Sequence, residues 1–169
     1  GSTKEVRSRI SKGWKTYFAM KVLLCRRSIS LKRRLALYEA TVTSGVLWCS
    51  EYWALREADK QFLKTAQNKI LRKIVGIRRH EDQPRVDWVI TSTRSARKIA
   101  EASGVRCWLT FHADNKWRWA GHVARMKSTE WVWKVAAWRD EQGQELQQGH
   151  RALRSRPGRW TNWEDPVKI

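Results

Sequence analysis

Apolar residues recur at three- and four-residue intervals along the first half of the chain, the period of one helix face. The spacing predicts a helix over residues 5–27, with Val6, Ile10, Trp14, Tyr17, Phe18 and Cys25 on one side and Lys12, Lys15 and Arg26 on the other. Residues 28–30 interrupt it, and Ser30 suits the N-cap of the next element. A second helix is expected over 31–53, with the stripe Leu35, Tyr38, Val42, Val46, Cys49 and Trp53. Gly45 lies inside that stripe and marks a kink or a close crossing, since glycine costs about 1 kcal/mol in a helix interior. The first turn carries Lys32, Arg33 and Arg34. Cations there oppose the helix dipole, which points to another use for them.

A third helix is expected over 57–75. Phe62, Leu63, Ala66, Ile70 and Ile74 make its apolar face; Gln61, Lys64, Thr65, Asn68 and Arg72 lie opposite, with Lys69 and Lys73 flanking. Gly76 suits its C-terminal cap. Arg78, Arg79 and His80 follow, and a domain boundary is expected between Gly76 and Pro84. The second half reads as an apolar patch at 88–90, a short helix over 95–103 ending at Gly104, and helices over 108–126 and 130–139. Residues 142–156, rich in Gln, Gly and Arg, read as a mobile segment. No internal repeat is visible, and no period-two alternation is long enough for a sheet. The expected fold is therefore all-α: a three-helix unit over 1–82, a smaller helical unit over 83–141, and a basic tail over 142–169.

Composition turns this helical frame toward a polyanionic partner. The 169 residues carry 35 Lys and Arg against 16 Asp and Glu, a formal net charge of +19. Such an excess repels itself in the compact state and suits a polyanion. The cations are spread from Lys4 to Lys168 rather than gathered in a tail. A solvated surface is the alternative reading of the same charge. No apolar run approaches the roughly 20 residues of a membrane span, so no membrane partner is expected. No secretory signal is visible, and Gly1 with Ser2 reads as a cloning remnant. Cys25, Cys49 and Cys107 are odd in number and far apart, which fits buried free thiols in a reducing compartment.

Catalytic and cofactor chemistry lacks its usual constellations. Cys107, His112 and His122 have no paired Cys motif beside them, so no metal is expected. The phosphate-loop pattern is missing. Asp114, Glu130, Asp140, Glu141, Glu164 and Asp165 are carboxylates without the grouping that two-metal phosphoryl transfer needs. Glu164 and Asp165 with Lys168 are the nearest approach to a nuclease triplet, and they read as a solvated tail. What recurs is cation beside aromatic. Among the twelve tryptophans, Trp117 and Trp119 alternate with Lys116 and Arg118. On a helix these indoles point roughly 200° apart, so one can be core while the other lies near the surface, where stacking on a base contributes roughly 1–3 kcal/mol. His122 reads as a packing or hydrogen-bonded histidine.

The same residues carry a resemblance. Lys116-Trp-Arg-Trp-Ala-Gly-His-Val-Ala-Arg-Met126 resembles the downstream motif of non-LTR (LINE-type) retrotransposon reverse transcriptases. Other segments follow in the family's order. Arg9-Ile10 with Trp14 resembles the start of the thumb. Leu37-Tyr38-Glu39-Ala40 and Leu47-Trp48-Cys49-Ser50-Glu51-Tyr52-Trp53 resemble the thumb helix and its ending. The run from Gln67 to Ile77 resembles the next helix. The run from Thr93 to Ile99 and the closing Arg156 to Asp165 resemble the C-terminal tail. Two departures stand out. Trp48-Cys49 replaces the family's usual Tyr-Gly, and Gly158-Arg159-Trp160 is shuffled relative to its Gly-Arg-Pro.

The resemblance implies a thumb with a following linker and tail. In that family the palm with its paired catalytic aspartates lies upstream, so these residues would have no catalytic centre of their own. The implied partners are RNA or DNA, as template–primer, element RNA or target DNA, together with the polymerase palm; the implied location is the nucleus. A thumb meets phosphates and so holds any sequence. The expected contacts are Lys64, Asn68, Lys69, Arg72 and Lys73, with Arg78 and Arg79 at the helix end, extended by Lys116, Arg118 and Arg125. The alternative is a protein-interaction or dimerisation module of the same polyprotein.

Overall fold

A computed structural model of the chain describes residues 2–79, 81–127 and 129–131. These residues are all-α, with no strand among them. The helix expected over 130–139 and the tail over 142–169 lie outside the described residues, apart from Glu130 and Trp131.

Helix α1 spans Ser2–Ala19 and the single turn α2 spans Lys21–Leu24. The expected continuous helix breaks at Met20, whose φ of −99° and ψ of 6° are not helical. The break lets Leu24 reach the core, while Phe18, expected on the apolar face, is 58% exposed. Helix α3 spans Leu31–Tyr38 after Ser30; a π-helical turn, Glu39–Thr43, leads into α4 at Ser44–Val46. The helix expected to reach Trp53 thus ends at Val46. Leu47 leaves helical geometry, and Cys49 is left-handed, with φ of 56° and ψ of 30°. A 3₁₀ turn at Ser50–Tyr52 follows. The close helix crossing sits not at Gly45 but at Gly13, where a Cβ would collide with the Val46 side chain while Gly45 faces open space.

Helix α5, Glu57–Val75, has the expected bounds. Asp59 accepts the Arg56 backbone N–H at 3.1 Å and the Thr3 hydroxyl at 3.2 Å, joining the starts of α5 and α1. A carboxylate at that place also complements the helix dipole. Gly76 closes α5 in the left-handed region, with φ of 77° and its N–H donated to the Arg72 carbonyl.

Helix α6, Arg85–Ala102, joins the expected patch and short helix into one element. The run Thr91-Ser92-Thr93 does not break it. The Thr91 hydroxyl donates to the Asp87 carbonyl at 2.8 Å and the Ser92 hydroxyl to Val89 at 3.4 Å, so each is satisfied inside the helix. Helix α7 spans Trp108–Ala124.

The first compact unit runs from Gly1 to His112, and the second from Ala113 onward. The expected boundary between Gly76 and Pro84 is therefore a turn inside one unit. Its core joins Val6, Leu35, Tyr38, Val42, Leu63 and Ile70 to Ala96, Ala100, Val105 and Trp108. Each large apolar side chain so buried contributes roughly 1.5–3 kcal/mol. Gln67 ties the end of this unit down: its Nε2 donates to the Arg106 carbonyl at 2.9 Å, and its Oε1 accepts the Trp108 N–H at 3.0 Å.

Candidate nucleic-acid interface

Helix α5 presents its cations on two edges. Lys69 and Lys73 are exposed one turn apart; Lys64 is exposed about 140° around the axis from Lys69. Asn68 is half-buried between these edges, and Arg78 and Arg79 are exposed beyond the Gly76 cap.

Arg72 does not join them. Its guanidinium donates to the Thr93 hydroxyl at 3.1 Å and to the Val89 carbonyl at 3.4 Å, and it lies over the Trp88 ring at 5.3 Å. The side chain expected to meet phosphate instead fastens α6 to α5. Arg34 is a second cation with a structural role. It is buried, and it donates to the carbonyls of Ile29, Leu24 and Ile74. Leu24 and Ile74 lie at the C-terminal ends of α2 and α5, where a cation satisfies orphan carbonyls and complements the dipole. Lys32 and Arg33 beside it remain exposed.

Among the described residues the exposed lysines of α5 form no salt bridge, and only Lys64 adds to the charge field around Glu57. Glu57 is taken by Lys60 at 3.2 Å and Gln61 at 3.3 Å. The hydrogen bond from Lys60 holds its carboxyl below the usual range, helped by Gln61. Asp59 is buried, and its Oδ2 accepts from Arg56 and Thr3. Lys64, Lys69, Lys73, Arg78 and Arg79 enter no ion pair with the described residues; the pairs found there are Arg9–Glu5 and Lys60–Glu57.

The second unit holds the other candidates. Arg118 and Arg125 are exposed, and Lys116 is half-buried. Trp117 is 50% exposed; Trp119 is half-buried against the His122 ring at 5.6 Å. Trp117 is thus the more exposed of the two indoles, and neither is part of the core.

Helix α6 carries cations that the periodicity argument did not single out as contacts. Arg94, Arg97 and Lys98 line a groove of about 570 Å³ with Val89, Ile90, Thr93 and Glu101. Their recurrence at three- and four-residue spacing was the available signal. Trp48 and Tyr52 are exposed around the turn at Cys49. Cys49 is itself exposed and Cys25 and Cys107 half-buried, so the three free thiols are not the buried set expected. Among the described residues no three His, Cys, Asp or Glu side chains converge as metal ligands. None of the described helices is long and apolar enough to cross a membrane.

The sequence is similar to that of a transposon-derived protein. Over 112 residues, 64% of this chain, it is 30% identical to a protein of Caenorhabditis elegans described as uncharacterized and transposon-derived. The chain spans 36% of that protein's length. No family model matches the chain, and no solved structure matches it.

Proposed function

We propose that this chain is a nucleic-acid-binding part of a retrotransposon reverse transcriptase, which holds template–primer through its backbone phosphates and performs no chemistry itself. The observation that carries this reading is the row of exposed lysines and arginines on and after α5 whose neighbouring acids are engaged elsewhere. A solvated helix face at moderate net charge would pair them; here Lys64, Lys69, Lys73, Arg78 and Arg79 form no ion pair with the described residues and are open to an external anion. The reading also draws on the ordered motifs from Arg9 to Asp165 and on the likeness to a transposon-derived protein. Contacts limited to phosphates give affinity without sequence choice, and binding that falls steeply with salt through counterion release.

Titration of the chain with single strands, duplexes and RNA–DNA hybrid at two salt concentrations tests the reading. Binding independent of sequence and strongly weakened by salt is expected. Purified chain is also expected to extend no primer on an RNA template with magnesium and nucleotides, and clear extension would refute the absence of chemistry.

A second reading, self-association, is favoured by one observation. Phe18, Val22 and Leu23 are exposed together around the α1–α2 break. A mass that rises with concentration, without salt-sensitive nucleic-acid binding, would support it.

A further inference from the structure

Helices α1 and α5 run parallel, and their seam has a defined register. Thr3 bonds Asp59 at its start, and the Arg7 guanidinium lies 4.9 Å above the Phe62 ring one turn on. At the far end the Tyr17 hydroxyl meets the Cys25 Sγ at 3.4 Å, and that thiol reaches the Lys73 carbonyl at 3.6 Å. Along α1 the stripe bordering the seam is Arg7, Ser11, Trp14 and Phe18. Along α5 it is Phe62, Ala66, Lys69 and Lys73, of which Ala66 is buried and the other three are exposed. Both follow the same spacing of four, three and four residues. The register that sets Arg7 against Phe62 therefore brings Phe18 level with Lys73, roughly 16 Å further along. A cation and an aromatic hold matching positions of the two helices at both ends, in reversed order, with a ring contact at the Arg7 end.

The two aromatics differ in what remains open. One face of Phe62 carries the Arg7 guanidinium, and the side chain is 40% exposed. Phe18 is 58% exposed on one side, and on the other it is braced by Trp14 at 5.7 Å and by the edge of Tyr17 at 5.4 Å. A phenyl ring held rigid from behind and bare in front is unfavourable in water, and it offers a flat face whose ordering cost has already been met. Lys69 and Lys73 lie along the same seam, exposed and without an acid partner among the described residues. Apolar face plus free cation matches a nucleotide whose base is unstacked, and no base inside an intact duplex offers that face.

Resting on the nucleic-acid reading above, we infer that the α1–α5 seam is a binding site for single-stranded nucleic acid, in which Phe18 stacks on a base and Lys69 and Lys73 hold the flanking phosphates. The strand's backbone follows the lysines of α5, and its base turns inward onto Phe18. Single-strand ends or junctions are held here in preference to continuous duplex.

The full chain and its Phe18→Leu and Phe18→Tyr variants are titrated with oligo(dT), oligo(U) and a blunt duplex at one salt concentration, with helicity checked by circular dichroism. Leucine keeps the apolar volume and removes the ring, so Phe18→Leu should weaken both single strands about five- to a hundredfold and leave the duplex unchanged. Phe18→Tyr should bind like the parent chain. Equal single-strand affinity of Phe18→Leu and the parent overturns the platform, while steep salt dependence in both leaves the general binding function standing. Failure of the parent chain to bind any of the three probes overturns the function and the platform together. A Phe18→Leu variant that loses only a concentration-dependent rise in mass places Phe18 between two copies of the chain and overturns the proposal.

Discussion

The Trp108 indole donates its Nε1 proton to the Thr43 hydroxyl at 2.9 Å, across 65 positions of sequence and wholly inside the core. Thr43 ends the π-helical turn, and Trp108 begins α7. Tyr38 stacks on the same indole at 6.4 Å. One polar contact thus links the α3–α4 region to the end of the first compact unit. Replacing Thr43 with valine keeps the shape and removes the acceptor, leaving a buried indole N–H unsatisfied. Such an orphan costs about 1–3 kcal/mol. Chemical denaturation of Thr43→Val should show a loss in that range, and Thr43→Ser, which keeps the hydroxyl, a smaller one. Equal losses in both would place the effect in packing of the methyl group instead.

Cys49 occupies a position that suits glycine. A left-handed conformation costs an ordinary residue roughly 1–2 kcal/mol, and glycine gives back part of that through its freer unfolded chain. Cys49→Gly should therefore stabilise the fold by about 0.5–1 kcal/mol, read from the shift of its denaturation midpoint. The family that the sequence resembles usually has glycine at the matching place, so the substitution follows both the backbone and the motif. A destabilised Cys49→Gly would mean that the exposed thiol makes a contact worth more than the strain.

Helix α5 was legible because its apolar stripe is long, regular and closed by a glycine, and Gly76 takes the left-handed conformation that the motif requires. The sequence predicts α6 in two pieces, because the hydroxyl run at 91–93 resembles a loop. In the fold Thr91 and Ser92 bond back to the preceding turn and Thr93 accepts from Arg72. Periodicity placed Arg72 on the polar side of α5, and it does lie away from the core. What periodicity could not supply was the helix that packs there, because that depends on where residues 85–102 fold back. Arg34 shows the same limit. A cation in a first turn looks misplaced until the C-terminal carbonyls of α2 and α5 are found around it. Among the candidate contacts, the exposed lysines were legible as cations, whereas the engagement of Glu57 and Asp59 by other partners required the tertiary structure.

Two phenols couple the fold to alkaline pH. Burial pushes the Tyr38 hydroxyl above its ordinary value of 10.0; the group lies near Thr43, Gln67 and Trp108 in hydrogen-bond geometry to none of them. Burial raises Tyr17 as well, and its contact with Cys25 adds to the effect. Folding favours the neutral phenol in both. Their contribution is fully present below the unfolded value of 10.0 and is lost as pH climbs above it. Absorbance of these phenolates should rise together with loss of helicity, and Tyr38→Phe should move the transition to higher pH. Ionisation of both at pH 10 with helicity intact would contradict their burial.

In the proposed function the exposed lysines of α5 hold phosphates, while Arg72 holds α6. Arg72→Ala should cost about 1–2 kcal/mol of stability through the lost Thr93 bond and Trp88 stack, with little change in how binding responds to salt. Lys69→Ala combined with Lys73→Ala should keep stability within about 0.5 kcal/mol per site. The deciding measurement is the slope of log affinity against log salt for that double variant on an arbitrary sequence. Loss of two phosphate contacts should flatten it by roughly 1.4–1.8 units. A folded double variant with the parent's slope would contradict this role for the lysines.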